Sequence, residues 1–429
     1  MTTPAPKSAR SALLVVFLVV FIDLLGFGIV LPLMPIIARE HLGGYDQTTR
    51  GAIIGLLYSS FSLMQFVFSP IWGRVSDRVG RRPILILGLV GSVVFYALFG
   101  YASTIPAEQS TLAIALLLAS RVGAGIAGAS VSTASAVIAD STTPEKRSKG
   151  MALIGAAFGI GFTFGPLIAY AGLTAFADAR WAPGAMASGL SLVATILAVV
   201  LLPETLKPEH VNREARGFSF GRSIAVLRLP AVGPPILAYF LAIFAFANFE
   251  ATLALFTTDV FGYDERQNFL VFAGVGLVLM VAQGGFYRRF AGKTSDTRLM
   301  GVGLVMMFVG LGGLAVVAFL SYQIRQASGS PAQFQWVLYL AAAVAVFGFA
   351  FVNPSVAALV SKRADPSRQG EILGVNQSFA ALGRILGPFV GSVVFEQHPS
   401  RVLPYAVAVG VLLLVVALFP VVSRGNAAE

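Results

Sequence analysis

Long apolar runs joined by short polar stretches fill residues 11–38, 51–72, 84–104, 111–139, 150–172, 182–203, 230–257, 267–287, 299–321, 336–361, 371–396 and 402–422. A hydrocarbon core about 30 Å thick takes ~20 apolar residues per helical crossing, so the pattern predicts twelve membrane helices. The short alternating segments of a membrane β-barrel are absent from it. The first run follows Lys7 and Arg10 as a secretory signal would, yet it is too long and lacks a small-residue cleavage site, so it is read as the first span. The longest polar connection, 204–229, separates six spans from six. The expected fold is an all-α membrane protein with an amino-terminal six-helix bundle (1–203), a cytoplasmic linker (204–229) and a carboxy-terminal six-helix bundle (230–429).

Composition agrees. The chain is 56% hydrophobic and 12% charged, with mean hydropathy +0.81, where a soluble domain is about a quarter charged. Without cysteine there are no disulfides or thiol chemistry, three scattered histidines form no metal constellation, and no GxxxxGK[ST] loop implies an ATP site. No metal, cofactor or enzymatic activity is expected. Of the 30 Lys and Arg residues, six (Arg39, Arg50, Arg180, Arg266, Arg325, Arg401) follow odd-numbered spans and two (Arg121, Arg384) lie inside spans. All others occupy the N-terminus, the loops after even-numbered spans and the C-terminus, which puts both termini in the cytoplasm. The net charge of +10 is thereby explained as topology rather than as a nucleic-acid surface.

The sequence repeats itself. Gly161-Phe-Thr-Phe-Gly165-Pro166 matches Gly383-Arg-Ile-Leu-Gly387-Pro388 at an offset of 222, which also maps Pro144 onto Pro366. Gly73 and Gly80 correspond to Gly285 and Gly292, with Arg81 opposite Lys293. Two like halves that enclose a cavity near the bilayer midplane follow from such a repeat.

Ionisable groups inside spans are costly and therefore functional candidates. Asp23 lies mid-span in the first helix and Glu250 in the seventh, its repeat counterpart. Arg121, in the fourth span, is expected near the depth of Asp23, where a pair would neutralise both charges. Arg384 could take an anionic group or serve packing within its glycine-proline motif. Tyr58, Gln65, Asn248, Asn353 and Gln377 are polar candidates for a cavity wall. Gly161 and Gly165 share a helix face that admits a close neighbour, and Pro166 bends that helix.

Residues 73–83, "GRVSDRVGRRP", place Asp77 among Arg78, Arg81 and two glycines, Gly73 and Gly80, read as a tight reversal. This stretch resembles the signature loop of the major facilitator superfamily. Arg121-Val-Gly-Ala-Gly resembles that family's fourth-helix motif, Gly161 to Pro166 its antiporter motif, and Pro203-Glu204-Thr205 the motif closing helix six. Phe21 to Gly43 and Ser135 to Arg147 are similar to tetracycline-resistance and TETRAN-like drug:proton antiporters. The resemblance implies alternating access, with the loop around Asp77 as a latch and the helix-four Arg121 tied to proton coupling. The chain departs from tetracycline antiporters where they carry acids: it has Phe95 and Tyr96 in the third span, and no acid at 299–321.

The expected function is a proton-coupled antiporter in the cell's inner membrane, exporting a small amphipathic organic compound. Its partners would be that substrate, protons and the lipid bilayer, and a monomer suffices. The rival readings are a proton symporter or facilitator for a metabolite, and a non-transporting receptor or assembly factor on the same scaffold.

Overall fold

A computed structural model describes residues 7–142, 144–206, 220–365 and 368–424, with the side chains of 7–15, 23, 139, 144–156, 158, 220–223, 370 and 424 outside that description. In chain order the helices are α1 (Lys7–Val30), α2 (Met34–Glu40), α3 (Gln47–Val79), α4 (Arg81–Ala102), α5 (Ser110–Gly128), α6 (Val131–Ser141), α7 (Pro144–Ala175) and α8 (Trp181–Leu201). They continue as α9 (Phe220–Leu227), α10 (Gly233–Phe261), α11 (Glu265–Val281), α12 (Arg288–Phe290), α13 (Asp296–Gln326), α14 (Gln335–Arg363), α15 (Gln369–Gln397) and α16 (Leu403–Arg424). No strand forms among the described residues.

Among the described residues eleven stretches are long and apolar enough to cross a membrane, and α7 adds the shorter apolar segment Gly159–Ala175. Twelve crossings are thus accounted for, although they rarely stop where the apolar runs stop. Span two, expected over 51–72, is a helix from Gln47 to Val79, because nothing in its polar end interrupts the ladder before Gly80. Three spans are broken internally. Proline at the start of α2 ends α1, the glycine-rich end of α5 turns at Ala129 and Ser130 into α6, and a π-helical turn (Ala282–Tyr287) containing Gly284 and Gly285 joins α11 to α12. At the start of α11 the Asp264 carboxylate accepts from the Gln267 amide at 2.7 Å while the Gln267 side chain accepts from the Asp264 amide at 3.0 Å, a capping box that satisfies two orphan donors.

The chain forms two compact units. One gathers Met1–His41, Ser60–Phe218 and Phe269–Gly276, and the other Leu42–Ser59, Ser219–Asn268 and Leu277–Glu429. The division differs from the expected 203/230 boundary in two places: the first three turns of α3 cluster with the second unit, and part of α11 with the first. The expected linker falls largely outside the described residues, which leave off at 206 and resume at 220.

Packing within the two units repeats. In the first, α1 packs on α7 and α8, and α4 on α5 and α8; in the second, α10 packs on α15 and α16, and α13 on α14 and α16. The glycine motifs set how closely the first pair of each set approaches. A Cβ added to Gly165 would stand 2.8 Å from the Leu25 carbonyl oxygen, and one on Gly161 2.9 Å from Leu24 Cβ. In the second unit, Cβ atoms on Gly383 and Gly387 would stand 2.9 and 2.5 Å from the Phe240 and Phe244 carbonyl oxygens. The same face of the same helix is bare in both halves, so backbones touch where a side chain would hold them apart.

A second bare face belongs to α3. Cβ atoms on Gly51 and Gly55 would stand 2.6 Å from the Ser392 carbonyl oxygen and 2.8 Å from Phe389 Cα, and Ser59 Oγ donates to the Ile385 carbonyl at 2.5 Å. These contacts explain why the start of α3 belongs with α15 in one unit.

Overpacking a filled seam costs ~1–3 kcal/mol, so Gly387→Ala is expected to lower the apparent melting temperature of the purified protein. Gly274→Ala, whose new Cβ meets no atom within 4 Å, is the matched control and should leave that temperature unchanged.

Candidate functional site

At the basic end of the bundle the chain reverses between α3 and α4. The sequence suggested a turn built on Gly73 and Gly80. Gly73 is instead helical, and Gly80 alone turns the chain, with φ +110°. The Arg81 guanidinium there is buried and donates to Ser76 Oγ at 2.7 Å, pairing with Asp77 at 2.6 Å and Asp140 at 3.2 Å. The Glu204 carboxylate accepts from the Arg81 and Arg82 amides at 2.9 and 3.2 Å, an anion seated on the N-terminus of α4. A Cβ at Gly80 would stand 2.4 Å from Glu204 Oε2 and displace that carboxylate, and the φ itself favours glycine. Asp77, Asp140 and Glu204 thereby tie α3, α6 and the residues after α8 to the start of α4, while Arg78 is exposed. Asp140 and Glu204 carried no signal of this role in the sequence beyond their place in family motifs, because their partner is distant along the chain.

The repeat reverses the polarity. Gly292 turns the chain with φ +79°, and at the start of α13 the buried Asp296 pairs with Lys362 at 2.6 Å. Position 362 lies 222 residues beyond 140, the repeat offset, so an acid opposite a cation in the first unit becomes a cation opposite an acid in the second.

Within the first unit, Arg121 is 2% exposed, its guanidinium 4.6 Å from the centre of the Phe61 ring and 5.6 Å from that of Phe27. Aromatic faces attract a cation. Two glycines let the neighbours in: a Cβ on Gly125 would stand 2.5 Å from the Phe61 carbonyl oxygen, and the Phe95 ring occupies the space a Gly123 Cβ would need. The expected partner, Asp23, lies in α1 one helical turn before Phe27, and its side chain is outside the described ones.

Within the second unit, Glu250 and Arg384 act electrostatically on one another, and Tyr239 on Arg384. Arg384 retains open surface although protein atoms surround it, and Gln377, seven residues earlier on α15, is also exposed. The Tyr239 hydroxyl donates to Asn353 Oδ1, joining α10 to α14. Around these polar groups Phe246 stacks on Phe349 with centroids 3.9 Å apart, and Phe240 meets Phe379 edge-on at 6.1 Å. Tyr239 was missed by sequence reading, since a tyrosine among so many apolar residues reads as core.

Other expected wall residues sit elsewhere. Asn248 is fully buried and donates to the Pro404 carbonyl at 3.2 Å, against Gly391, so it braces α10 on α15 and α16 rather than facing a cavity. Tyr58 is buried as well, and Gln65 donates to the Gly128 carbonyl at 3.3 Å. The structure thus brings Glu250, Arg384 and Asn353 into one unit with Tyr239, and Arg121 into the other.

A third ionic group, unforeseen because its members looked like topology markers, lies at the end opposite the basic one. Arg401 pairs with Asp259 at 2.8 Å and approaches Glu396 at 3.9 Å, while Arg50 approaches the same Glu396 at 3.7 Å. Glu396 is 2% exposed, and the Arg401 guanidinium covers the Phe395 ring at 4.5 Å. Arg401 and Asp259 are partly buried, so removing one partner strands the other charge at a cost between the ~0–1 kcal/mol of an exposed pair and the ~3–5 kcal/mol of a fully buried one. Asp259→Asn should therefore lower the apparent melting temperature more than Glu108→Gln, at an exposed carboxylate, measured side by side.

The comparisons with known proteins agree with this architecture. The chain matches the Major Facilitator Superfamily over residues 16–388 and 290–429. It is 31% identical over 444 residues to mouse major facilitator superfamily domain-containing protein 10, covering 93% of this chain and 90% of that one. It is 28% identical over 408 residues to the class E tetracycline resistance protein of Escherichia coli, covering 93% and 92%. The crystal structure of the human organic anion transporter MFSD10 (TETRAN) superposes with a TM-score of 0.69 at 26% identity, covering 96% of this chain and 100% of that one. With two glycine-matched units, the Gly80 loop and these relatives, the chain belongs to the major facilitator superfamily and is a multi-pass membrane transporter.

Proposed function

We propose that this transporter exports a small amphipathic organic compound in exchange for protons, by alternating access, from the inner membrane of a cell with both termini in the cytoplasm. The observation that carries the reading is the placement of ionisable groups within the membrane-spanning helices: Arg121 enclosed by Phe27 and Phe61, and Glu250 opposed to Arg384 amid aromatic rings. Holding such groups in hydrocarbon is costly, and a fold that needed only to stand in a membrane would have no use for them.

In this reading Glu250, with Asp23 and Arg121, carries the proton. Arg384, Gln377 and Asn353 meet the substrate, and Phe240, Phe246, Phe349 and Phe379 receive its apolar part. An anionic group on the substrate would suit Arg384, in keeping with the human relative that is an organic anion transporter. Tetracycline suits this chain less well, because Phe95 and the buried Tyr96 stand where tetracycline antiporters carry an acid. Asp77, paired with Arg81, latches the cytoplasmic side, with Arg78 available at its surface.

Purified protein in liposomes with an imposed pH gradient tests the coupling, with p-toluenesulfonate as a permanently charged aromatic anion and ethidium as a cation. Exchange predicts probe uptake driven by an acidic interior; uptake driven by an acidic exterior means symport, and no uptake with either gradient favours the non-transporting reading. Glu250→Gln should abolish the dependence on the gradient while probe binding, followed by thermal stabilisation, survives. Losing a hydrogen bond to a charged group costs ~1.5–3 kcal/mol, about tenfold or more in affinity. Arg384→Gln is expected to weaken sulfonate binding by that factor and to leave ethidium unaffected.

A further inference from the structure

The two pseudo-equivalent loops, one in each unit, treat their cations differently. In the first unit acids reach one of them: Arg81 meets Asp77 and Asp140, while Glu204 takes the backbone amides of Arg81 and Arg82, and Arg78 is exposed. Arg82 also donates to the Val199 carbonyl at 2.6 Å, and Arg74 to the Pro70 carbonyl at 3.1 Å. In the second unit, Arg288, Arg289, Lys293 and Arg298 are all exposed. No described side chain pairs with the charged group of any of them; Ser295 Oγ accepts only from the Arg298 backbone amide, at 3.4 Å. The one acid in that stretch, Asp296, is buried and taken by Lys362.

The apolar neighbours of these cations are also turned outward. Phe286 and Phe290, on either side of the two arginines, are 49% and 44% exposed, and Leu277 and Val281 continue an exposed apolar strip along α11. The π-helical turn Ala282–Tyr287 shifts the register of this strip just before the cations begin. Basic side chains at the end of a membrane helix face the phosphates of the adjoining leaflet, and phenylalanines exposed beside them offer apolar surface to its acyl chains.

We propose that the α11–α13 connection, with Arg288, Arg289, Lys293 and Arg298 around Phe286 and Phe290, is a binding surface for anionic phospholipid headgroups. The phosphate and a second negative group of such a lipid meet the guanidinium and ammonium donors, and its acyl chains lie along Leu277, Val281 and the two rings. A merely topological distribution of positive charge would leave the two loops equivalent toward lipid. Acids take only Arg81 in the first loop, so what sets the loops apart is the outward-turned Phe286 and Phe290 beside the second loop's cations, and these make the second loop the selective one.

The test compares the full-length protein with two variants matched in charge, Arg288→Gln/Arg289→Gln and Arg74→Gln/Arg78→Gln. Each is purified with equal amounts of phosphatidylglycerol and phosphatidylcholine, and the bound lipids are quantified by native mass spectrometry. The readout is a ratio within one sample, so a poorly folding variant changes yield without changing the answer. A basic residue near a charged surface is worth ~1 kcal/mol, about fivefold. The 288/289 variant should therefore lose the phosphatidylglycerol preference by about tenfold or more, whereas the 74/78 variant should lose less than about threefold. Equal losses, or none in either, would overturn the proposal. A further arm adds glycerol 1-phosphate to the detergent-solubilised protein: displacement of phosphatidylglycerol at micromolar concentration would make the surface a soluble-phosphate site instead.

Discussion

A guanidinium or carboxylate in hydrocarbon must be enclosed by protein or reached by water, and the rest of the structure follows from that requirement. Arg121 is enclosed because α3 and α5 approach closely enough for the Phe61 ring to lie 4.6 Å from its charge. That approach exists because residue 125 is glycine, while Gly123 makes room on the same helix for the Phe95 ring of α4. Arg384 and Glu250 lie on two helices, α15 and α10, that the bare faces of Gly383 and Gly387 bring into backbone contact. Glycine and charge are therefore one device: the glycines remove the side chains that would hold the helices apart, and the close helices shield the charges.

The repetition of that device gives the fold its economy. α1 on α7 and α10 on α15 meet through the same glycines at the same offset, and the remaining helix pairs recur in the same order. The two units then diverge in what they hold. The first presents a cation between aromatic rings; the second presents an acid, a cation and a tyrosine–asparagine pair. Such divergence on a shared frame lets one half specialise without disturbing the packing of either.

The spans and the glycine faces were legible in the sequence because each is a local property of composition and spacing. Gly161 and Gly165 announce a close neighbour whatever that neighbour is. Span ends were less legible: α3 continues to Val79 because a polar helix emerging from lipid has no reason to stop before Gly80, and the hydropathy pattern is silent beyond Trp72. Asn248 could be recognised as polar and intramembrane, but its partner, the Pro404 carbonyl, lies 156 residues away, and only tertiary structure turns a cavity candidate into a brace. Arg50, Asp259, Glu396 and Arg401 failed to stand out for the opposite reason, since charges at a membrane edge are ordinary until they converge.

The reversed ion pairs at the basic end bear on how the chain assembles as it is made. Arg81 waits for Asp140, and Asp296, much later, for Lys362. Were α4 of the first half to dock on α14 of the second, Arg81 would face Lys362; were α13 to dock on α6, Asp296 would face Asp140. Two halves similar enough to be mistaken for one another thus carry opposite signs at this contact, so that either mispairing would set like charges together.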